Sequence, residues 1–486
     1  MGIEIEDKFD VADDYTVPDL SKIGDVAGPK SHQLVALYYD TPDLRLAARG
    51  VTLRRRRGGS DPGWHLKLPK AKGARQEITH PLTRSTKVVP APLENLVRAF
   101  TRGAELVPVA ELDTRRNVTV ISGDGTPLVE IADDRVKGTV FGAEQRVERW
   151  REVEAELLEG GDEALLAKVG KRLVKAGATP SESSSKLARL LDRPPRPAGP
   201  AKAGTAGEVV MDYLDSQVSA LLSQDPRVRR AEEDAVHQAR VAARRMRSAL
   251  KAFKSIITGT DHVQDELRWL GTVLGEARDL EVTRARFARH LESLAPGLIH
   301  GPIQERLSDD LHKREQDSYN RIREALSSDR YYTLLEDLDR LLAEPELAKP
   351  AGKPAEATLQ GVAAKNWKRV TDAYDEAQAI EDEERREIAM HDVRKAAKRA
   401  RYTAEALGMK KLAKHAEAVQ EVLGQYQDGV VAQETLAKEA ESARQAGEDT
   451  FTYGLLIGIE KTTAERAHAE FPAVWEKTVE AVRKIL

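Results

Sequence analysis

Two segments of the chain carry basic side chains at the same helical spacing. They are His237, Arg240, Arg244 and Arg247, and then His391, Arg394, Lys398 and Arg401. At about 100° per residue, each set lies along one side of a helix. Lys251 extends the first set, and no acidic residue occurs between His237 and Lys254. Arginine offers bidentate hydrogen bonds to phosphate and histidine adds a further donor, so these two cation stripes predict a binding site for an extended polyanion.

Charged residues also alternate with other residues in short segments of the first third of the chain. They are Glu4, Glu6 and Lys8; Arg54 and Arg56; Arg75 and Glu77; Glu130 and Asp134; and Glu152, Glu154 and Glu156. Successive side chains of a strand point to opposite faces, so each set shares one face. If the sheet closes, the acidic sets offer oxygen ligands to Mg²⁺ or Mn²⁺ and the basic sets offer donors to phosphate. That combination is the chemistry that a triphosphate requires.

Simpler interpretations exist for both patterns. A single basic helix face or a single charged strand face is usually just solvated. A metal site at His237 or His391 is disfavoured because neighbouring cations repel divalent ions. Nucleic acid is disfavoured as a partner because aromatic residues make up only 5% of the chain and none interrupts the first stripe before Phe253. The recurrence of each pattern is what favours phosphate binding.

The composition limits the classes of protein that fit. The chain has 486 residues, 32% of them charged, and a formal net charge of −4, so the cation stripes are local features of an acidic background. We expect more than one domain at this length. The absence of cysteine excludes disulfides, thiolate metal sites and thiol catalysis. The charged start MGIEIEDKFD and the lack of a long apolar stretch predict neither a signal peptide nor a membrane span, and hence a cytoplasmic protein.

The elements that position these residues fall into two parts. Residues 193–208, RPPRPAGPAKAGTAGE, are predicted to form a linker because they are rich in proline, glycine and alanine. Before it, residues 1–192 contain period-two segments separated by turn sequences such as GGSDPG, which predict about eight antiparallel strands in a barrel or curved sheet. Amphipathic helices are predicted near Leu93–Arg102 and Asp162–Ala176.

Residues 209–486 have helical periodicity, with Pro226 and other prolines at predicted helix junctions. The segment EPELAKPAGKPAEA divides this part into repeats of about 209–343 and 358–486. The sequence LGEARD at Leu274–Asp279 returns as LGQYQD at Leu423–Asp428. The repeats predict a duplicated all-α helical bundle, and the chain as a whole is predicted to be an α+β multidomain protein.

The helical part resembles a known family. The segments HQARVAARRMRSALKAF, LGEARDLEV, HDVRKAAKRARY and LGQYQD are similar to the conserved-histidine α-helical domain, CHAD. This resemblance implies that both cation stripes bind inorganic polyphosphate. The second repeat departs from the first at Gln427, which stands where the first repeat has Arg278.

The amino-terminal part resembles the CYTH family, the triphosphate tunnel metalloenzymes. The resemblance is carried by E-x-E-x-K at the start, followed in order by YYDTPDLRLAARGVTLRRR, WHLKLP, ARQEI, VEIADD, EVEAELLEG and SSSKLARLL. It implies an antiparallel eight-stranded β-tunnel barrel with flanking helices. The implied metal ligands are Glu4, Glu6, Glu152 and Glu154, with Glu156 and Asp134 as second choices.

The same resemblance implies the residues that contact substrate. The implied phosphate ligands are Lys8, Arg54, Arg56, Lys67, Arg75, Arg116 and Lys186. Glu4, Glu6 and Lys8 become the candidate catalytic residues. Arg115 is an alternative to Arg116, because a shift of one residue in register would exchange them. His65 has no partner identifiable from the sequence and is interpreted as an ordinary strand residue.

We therefore expect a metal-dependent hydrolase of inorganic triphosphate or a related triphosphate, joined to a polyphosphate-binding domain. A non-enzymatic polyphosphate receptor or scaffold is the main alternative. Thiamine triphosphatase and class IV-type adenylate cyclase are variants of the enzymatic interpretation, although the cyclase would need a base pocket that the sequence does not reveal. Membranes and nucleic acid are not expected partners, and association with polyphosphate granules is a further expectation.

Overall fold

The computed structural model describes residues 2–71, 74–142, 145–183, 185–191 and 201–486, without the side chains of residues 2–4, 71 and 310. The chain divides into two compact units, Met1–Arg196 and Pro197–Leu486. Residues 193–200 of the predicted linker lie outside the described residues. The first helix of the second unit already begins inside the predicted linker, at Ala206, because the Thr205 hydroxyl accepts a hydrogen bond from the Glu208 N–H and caps it.

The first unit contains nine strands and four helices among its described residues. The strands are β1 (Gly2–Asp10), β2 (Asp25–Asp40), β3 (Thr52–Arg57), β4 (Gly63–Ala71), β5 (Ala74–His80), β6 (Val107–Gly123), β7 (Thr126–Val140), β8 (Arg146–Leu157) and β9 (Thr179–Pro180). The helices are α1 (Arg45–Ala48), α2 (Ala91–Thr101), α3 (Glu163–Lys175) and α4 (Lys186–Leu190). The two amphipathic helices predicted from the sequence correspond to α2 and α3.

The sheet closes into a barrel. Its strand order is β5-β4-β3-β2-β6-β7-β8-β1, and β1 also pairs with β5, so that eight antiparallel strands form a ring. The two-residue strand β9 adds to the outer part of β1. The predicted barrel is therefore confirmed, and its closure brings the charged faces of the strands into one interior.

The apolar core of the first unit lies outside the barrel wall. On β8, Val153 and Ala155 are fully buried in a cluster with Leu166 and Val169 of α3. Because side chains alternate along a strand, the same alternation turns Glu154 toward the barrel interior. Burying apolar side chains on the outer face of the wall thus fixes the charged residues on its inner face.

The second unit is helical. Its helices are α5 (Ala206–Arg229), α6 (Ala235–Ala252), α7 (Asp261–Ser293), α8 (Ile303–Ala325), α9 (Asp329–Ala343), α10 (Ala355–Gln378), α11 (Glu383–Ala406), α12 (Lys410–Gln445) and α13 (Phe451–Arg483). Pro226 lies in the last turn of α5 and not at a junction as predicted, and because proline has no N–H the helix lacks one backbone hydrogen bond there. Among the described residues, no helix combines the length and apolar character needed to cross a membrane.

Helices α5 to α8 and α10 to α13 repeat the same order, and the helices α6 and α11, which carry the cation stripes, pack against each other. Within each repeat, consecutive helices are packed side by side. On α6 the stripe borders a buried face that includes Val236, Ala243 and Leu250. The duplicated bundle therefore brings the two cation stripes together at its centre.

Candidate functional site

The barrel interior is a cavity of about 280 Å³ lined mainly by charged side chains. Every predicted phosphate ligand lines it, namely Lys8, Arg54, Arg56, Lys67, Arg75, Arg116 and Lys186. Of the predicted metal ligands, Glu6 and Glu154 line it as well, together with the second choice Glu156. Glu4 lies on β1, but its side chain is outside the described residues.

Strands β1 and β8 place opposite charges across from each other. In their antiparallel register Glu6 is opposite Glu156 and Lys8 is opposite Glu154. The Lys8 Nζ donates to a carboxylate oxygen of Glu154 and lies 2.8 Å from Oε2 of Glu6. Burial by itself would lower the pKa of Lys8, but the two carboxylates outweigh it and raise that pKa. Lys8 therefore stays charged inside the cavity.

Three buried carboxylates form a compact group at one side of the interior. They belong to Asp134, Glu152 and Glu154, and one oxygen of each lies within 4.8 Å of the others. We call these three residues the acidic group. Asp134, only a second choice from the sequence, is fully buried within it. The position of Asp134 could not be predicted from the sequence, because it lies on β7 and only the β7–β8 pairing places it opposite Glu152.

Lys186 and Arg116 each contact more than one carboxylate of the acidic group. Lys186 Nζ lies 2.7 Å from both Glu152 and Glu154 and 3.0 Å from Asp134. Arg116 Nη2 lies 2.6 Å from Asp134 and 2.7 Å from Glu154. Arg116 lines the cavity, whereas the alternative Arg115 is exposed on the other face of β6.

The pKa values of Glu154 and Lys186 are strongly shifted in this network. Burial by itself would raise the pKa of the Glu154 carboxyl, but the cations around it outweigh burial and hold that pKa well below the usual value of 4.5. In the same way, the carboxylates raise the pKa of Lys186 well above 10.5 against the effect of burial. Glu154 and Lys186 are therefore both ionised near neutral pH.

Lys186 reaches the acidic group because α4 is fixed to the barrel wall. The Ser185 hydroxyl caps α4 by accepting a hydrogen bond from the Ala188 N–H at 3.0 Å. Leu187 and Leu190 pack into the apolar cluster that contains Trp150 of β8. The Ser185 cap thus helps to place Lys186 at the cavity.

The acidic group has the composition of a site for a hard divalent cation. Carboxylate oxygens are the ligands that Mg²⁺ and Mn²⁺ prefer, and three of them converge here within 4.8 Å. The Lys186 ammonium among them shows that the position attracts positive charge. The residues present therefore fit a divalent ion, which would compete with Lys186 for the same oxygens.

The opposite side of the cavity carries a group of four basic residues, which we call the basic wall. It consists of Arg54, Arg56, Lys67 and Arg75. Glu77 lies among them, with its Oε1 3.9 Å from Arg54 and 3.7 Å from Lys67. Burial and the neighbouring Arg54 lower the pKa of Arg56, which shows that these cations are crowded. An anion that entered the cavity would relieve this repulsion.

His65 corrects an expectation from the sequence. It is completely buried, its Nδ1 is 3.0 Å from Glu77 Oε1, and its Nε2 is 3.2 Å from the backbone oxygen of Asp61. These partners could not be identified from the sequence, because Glu77 comes from the neighbouring strand β5. His65 thus holds Glu77 in place beneath the basic wall.

The second unit has a cavity of about 600 Å³ beside the first cation stripe. Arg240, Arg244 and Arg247 of α6 line it together with Arg268 of α7. Lys398 of the second stripe lies close to Arg244, because α6 and α11 are packed together. Burial, followed by Arg244 and other arginines, lowers the pKa of Lys398 from 10.5 to about 8. The stripes therefore form one crowded group of cations.

The predicted members of the stripes differ in their partners. Arg240 is 2.8 Å from Asp279, and Arg394 donates to Gln427 at 2.9 Å. Arg401 is paired with two carboxylates, Glu405 at 2.8 Å and Glu417 at 2.7 Å. Among the residues that the structure describes, no carboxylate lies within 4.0 Å of Arg244, Arg247, Lys251 or Lys398.

The histidines of the stripes lie at the edge of this group. Burial and Arg278 lower the pKa of His237, so it is an uncharged donor near neutral pH. His391 Nδ1 is hydrogen-bonded to the side-chain amide of Gln427. Gln427 therefore bridges His391 and Arg394, whereas Arg278 in the first repeat pairs with Glu281 at 3.1 Å.

Comparisons with known proteins find one known domain in each of the two units. Residues 2–190 match the CYTH domain and residues 212–437 match the CHAD domain. An uncharacterized protein of Mycobacterium tuberculosis is 39% identical over 509 aligned positions, which cover 99% of this chain and 97% of that protein.

Two solved structures are also similar to part of the chain. PptA from Streptomyces chartreusis is 21% identical, with a TM-score of 0.48, and covers 56% of this chain and 99% of its own. The CHAD domain from the plant Ricinus communis is 25% identical, with a TM-score of 0.46, and covers 58% of this chain and 95% of its own. The two matched domains and the full-length relative show that the chain belongs to the family of proteins in which a CYTH domain is followed by a CHAD domain.

Proposed function

We propose that the barrel hydrolyses inorganic triphosphate, or a related triphosphate, with Mg²⁺ or Mn²⁺, and that the helical unit binds inorganic polyphosphate. The observation that carries the proposal is the division of charge inside the barrel. The acidic group lies on one side of a cavity of about 280 Å³, and the basic wall lies on the other. A triphosphate bound between them would meet both the ligands of a metal and the donors for its oxygens.

The residues of the chain have separate parts in this reaction. Water attacks the terminal phosphorus, the bond from that phosphorus to the bridging oxygen breaks, and pyrophosphate leaves. The basic wall, Lys8 and Arg116 donate to phosphate oxygens and stabilise the charge of the leaving group. The chemistry supplied by a divalent ion at the acidic group is neutralisation of phosphate oxygens and polarisation of the phosphorus.

Glu6 is the best placed carboxylate to accept the proton of the attacking water. Among the described residues it forms an ion pair with Lys8 alone, at 2.8 Å. Glu154 is a weaker base because three cations surround it and lower its pKa. Glu6 also lines the cavity, so a water molecule can reach it.

The test of the barrel is a substrate panel on the full chain. Phosphate release is measured from tripolyphosphate, ATP, thiamine triphosphate and long-chain polyphosphate, with Mg²⁺, with Mn²⁺ and with a chelator. We expect turnover of a triphosphate that depends on the divalent ion. No turnover of any substrate with any divalent ion would overturn the enzymatic proposal.

The proposal for the helical unit rests on the cations that have no carboxylate partner. Arg244 stacks 5.3 Å above the Tyr402 ring, and its buried Nε has no hydrogen-bond partner among the described atoms. Lys398 beside it has a lowered pKa. A polyphosphate chain would supply the negative charge that these residues lack.

The test of the helical unit is the salt dependence of polyphosphate binding. The double variant Arg244→Ala/Lys398→Ala should bind more weakly and show a flatter dependence of affinity on salt, since fewer counterions are released. Arg401→Ala should have a smaller effect, because Glu405 and Glu417 already neutralise that arginine. Unchanged affinity in the double variant, with unchanged helicity, would overturn the proposal.

One observation supports a second candidate function, a non-enzymatic polyphosphate receptor. Lys186 and Arg116 form ion pairs with the carboxylates of the acidic group, so these carboxylates can serve to position two cations for phosphate binding. A receptor of this kind would bind the end of a phosphate chain without cleaving it. The substrate panel separates the candidates, because the receptor binds polyphosphate and releases no phosphate.

A further inference from the structure

The turn between β3 and β4, residues 58–62, brings a carboxylate to the rim of the barrel cavity. Gly59, Ser60 and Asp61 of this turn line the cavity together with Arg56 of β3. Asp61 is thus an anion at the edge of the basic wall. The proposed reaction uses Arg56 as a phosphate ligand but gives Asp61 no part.

Asp61 forms a close ion pair with Arg56. The Nη2 of Arg56 donates to Oδ2 of Asp61 at 2.6 Å and to its backbone oxygen at 2.9 Å. The Nε of Arg56 donates to the same backbone oxygen at 3.2 Å. The ion pairs of Glu77 with Arg54 and Lys67 are longer, at 3.9 Å and 3.7 Å. Arg56 therefore has a close anionic partner within the chain itself.

The two contacts of Asp61 have separable roles. Its backbone oxygen accepts hydrogen bonds from both Nε and Nη2 of Arg56 and so fixes the orientation of the guanidinium group. Its carboxylate accepts a further hydrogen bond from Nη2 and supplies negative charge. Arginine binds carboxylate and phosphate oxygens through the same N–H groups. A phosphate bound at Nη2 would therefore take the place of the Asp61 carboxylate.

The backbone of the turn is held independently of that carboxylate. Nε2 of the buried His65 lies 3.2 Å from the Asp61 backbone oxygen. A Cβ added at Gly58 would lie 2.0 Å from the backbone oxygen of Gln33, so the turn lies directly against β2. We therefore expect the turn to stay in place when the Asp61 side chain rotates away from Arg56.

The Asp61 carboxylate is easily displaced. The Asp61 side chain is 52% exposed, whereas that of Arg56 is 14% exposed. An ion pair with an exposed partner is weak, because water solvates the released carboxylate. Burial and Arg54 keep the pKa of Arg56 lowered even though Asp61 raises it. A phosphate that carries more charge than one carboxylate would stabilise Arg56 further.

We propose that Asp61 sets the affinity of the barrel for its substrate, because its carboxylate pairs with Arg56 when no phosphate is bound and a substrate phosphate must displace it. This inference rests on the proposed triphosphatase. Asp61 is an internal competitor of the substrate, and not a ligand of phosphate or metal.

The test separates the charge of Asp61 from its backbone contacts. The kcat and KM for tripolyphosphate are measured on the full chain, with the divalent ion that supports turnover, for the wild type and Asp61→Asn. Asp43→Asn is the matched control, because Asp43 forms a similar ion pair with Arg45 at 2.7 Å and does not line the cavity. Arg56→Ala and Arg56→Ala/Asp61→Asn complete a double-mutant cycle. Thermal unfolding shows whether each variant is folded, and Asp61→Ser replaces Asp61→Asn if the latter unfolds.

We expect Asp61→Asn to lower KM about threefold and to leave kcat unchanged, because a displaced competitor opposes the bound substrate and the transition state alike. In the Arg56→Ala background the same substitution should leave KM nearly unchanged. An equal or raised KM in Asp61→Asn would contradict the inference. The same decrease of KM without Arg56 would also contradict it, since it would show a general effect of charge at the rim.

A wild type that releases no phosphate would contradict the proposed triphosphatase instead. Asp61 is then tested by calorimetry with tripolyphosphate, in which any binding to the helical unit is common to the wild type and the variant. Tighter binding by Asp61→Asn than by the wild type would support the inference, and equal binding would overturn it.

Discussion

Lys186 of α4 and Glu154 of β8 form an ion pair of 2.7 Å inside the barrel. Each side chain is only 10% exposed, so water screens the pair weakly. The same ammonium group contacts Asp134 and Glu152. The charge balance of the acidic group therefore depends on one residue of a helix that has only five residues.

Removing that residue should destabilise the barrel. Lys186→Met keeps a side chain of similar length but leaves the carboxylates with Arg116 as the remaining direct partner of Asp134. We expect the free energy of unfolding to fall by about 3–5 kcal/mol, because breaking a buried ion pair leaves uncompensated charge. Denaturant unfolding of the full chain, compared between the variant and the wild type, measures this change.

Divalent ions provide the control for this interpretation. If the acidic group binds Mg²⁺ or Mn²⁺, the ion should restore part of the stability that Lys186→Met loses. Lys168→Met is the matched variant, because Lys168 is an exposed residue of α3. Equal stability of the two variants, with or without the ion, would contradict the part assigned to Lys186.

The inner face of the barrel could be predicted from the sequence because alternation along a strand is a local property. Arg54 and Arg56 share a face whichever strands lie beside them. The order of the motifs along the chain then indicated that these faces line the interior of a barrel. The pairing of His65 with Glu77 could not be predicted, since it depends on the β4–β5 register. The choice between Arg115 and Arg116 depends in the same way on the register of β6 and β7.

The affinity of the helical unit for polyphosphate should depend on pH through Lys398. Its pKa of about 8 lies below the ordinary value of 10.5, because burial and nearby arginines disfavour the charged form. Lys398 therefore loses its charge as the pH rises through about 8, and the affinity should fall by up to about tenfold per pH unit above that value. Binding measured between pH 7 and pH 9.5 tests this.

Lys398→Arg is the variant that isolates this effect. The guanidinium group stays charged over the whole range, so the fall in affinity should largely disappear. His237 does not contribute above pH 7, because its pKa is lowered from 6.5. The same pH dependence in the variant and in the wild type would show that another group titrates.

Replacing the glycine of the repeated LG sequence should weaken polyphosphate binding more in the second repeat, at Gly424, than in the first, at Gly275. A Cβ added at Gly424 would lie 2.9 Å from Nη2 of Arg394, whereas one added at Gly275 would lie 3.7 Å from the guanidinium of Arg240. Gly424→Ala should therefore displace the flexible end of Arg394 and its contact with Gln427. We expect severalfold weaker polyphosphate binding, measured by calorimetry.

Gly275→Ala is the matched variant in the other repeat, where ordinary contact is expected and affinity should not change. Neither variant should lose stability, since alanine favours a helix over glycine by up to about 1 kcal/mol. Equal affinities for the two variants would contradict the link between Gly424 and Arg394.

The arrangement of the cation stripes could be predicted only in part. Their helical spacing can be read from the sequence. The same comparison of the repeats shows that Lys251 of the first is replaced by Glu405 at the equivalent position of the second. The consequence of that exchange needs the packing of α6 on α11, which brings Arg245 to Glu405 across 160 residues of chain. Arg401 illustrates the same limit, because its neutralisation by Glu417 of α12 is a tertiary contact.

Phosphate release from tripolyphosphate by Glu152→Gln/Glu154→Gln tests the central claim most directly. Both substitutions keep the shape of the side chains and remove two charges of the acidic group. Glu94→Gln is the control, because Glu94 belongs to α2 and does not line the barrel cavity, and thermal unfolding shows whether each variant is folded. With Mg²⁺ or Mn²⁺ we expect the double variant to be at least about a hundredfold slower than the wild type and the control. Equal rates in the folded double variant and the wild type would contradict the account.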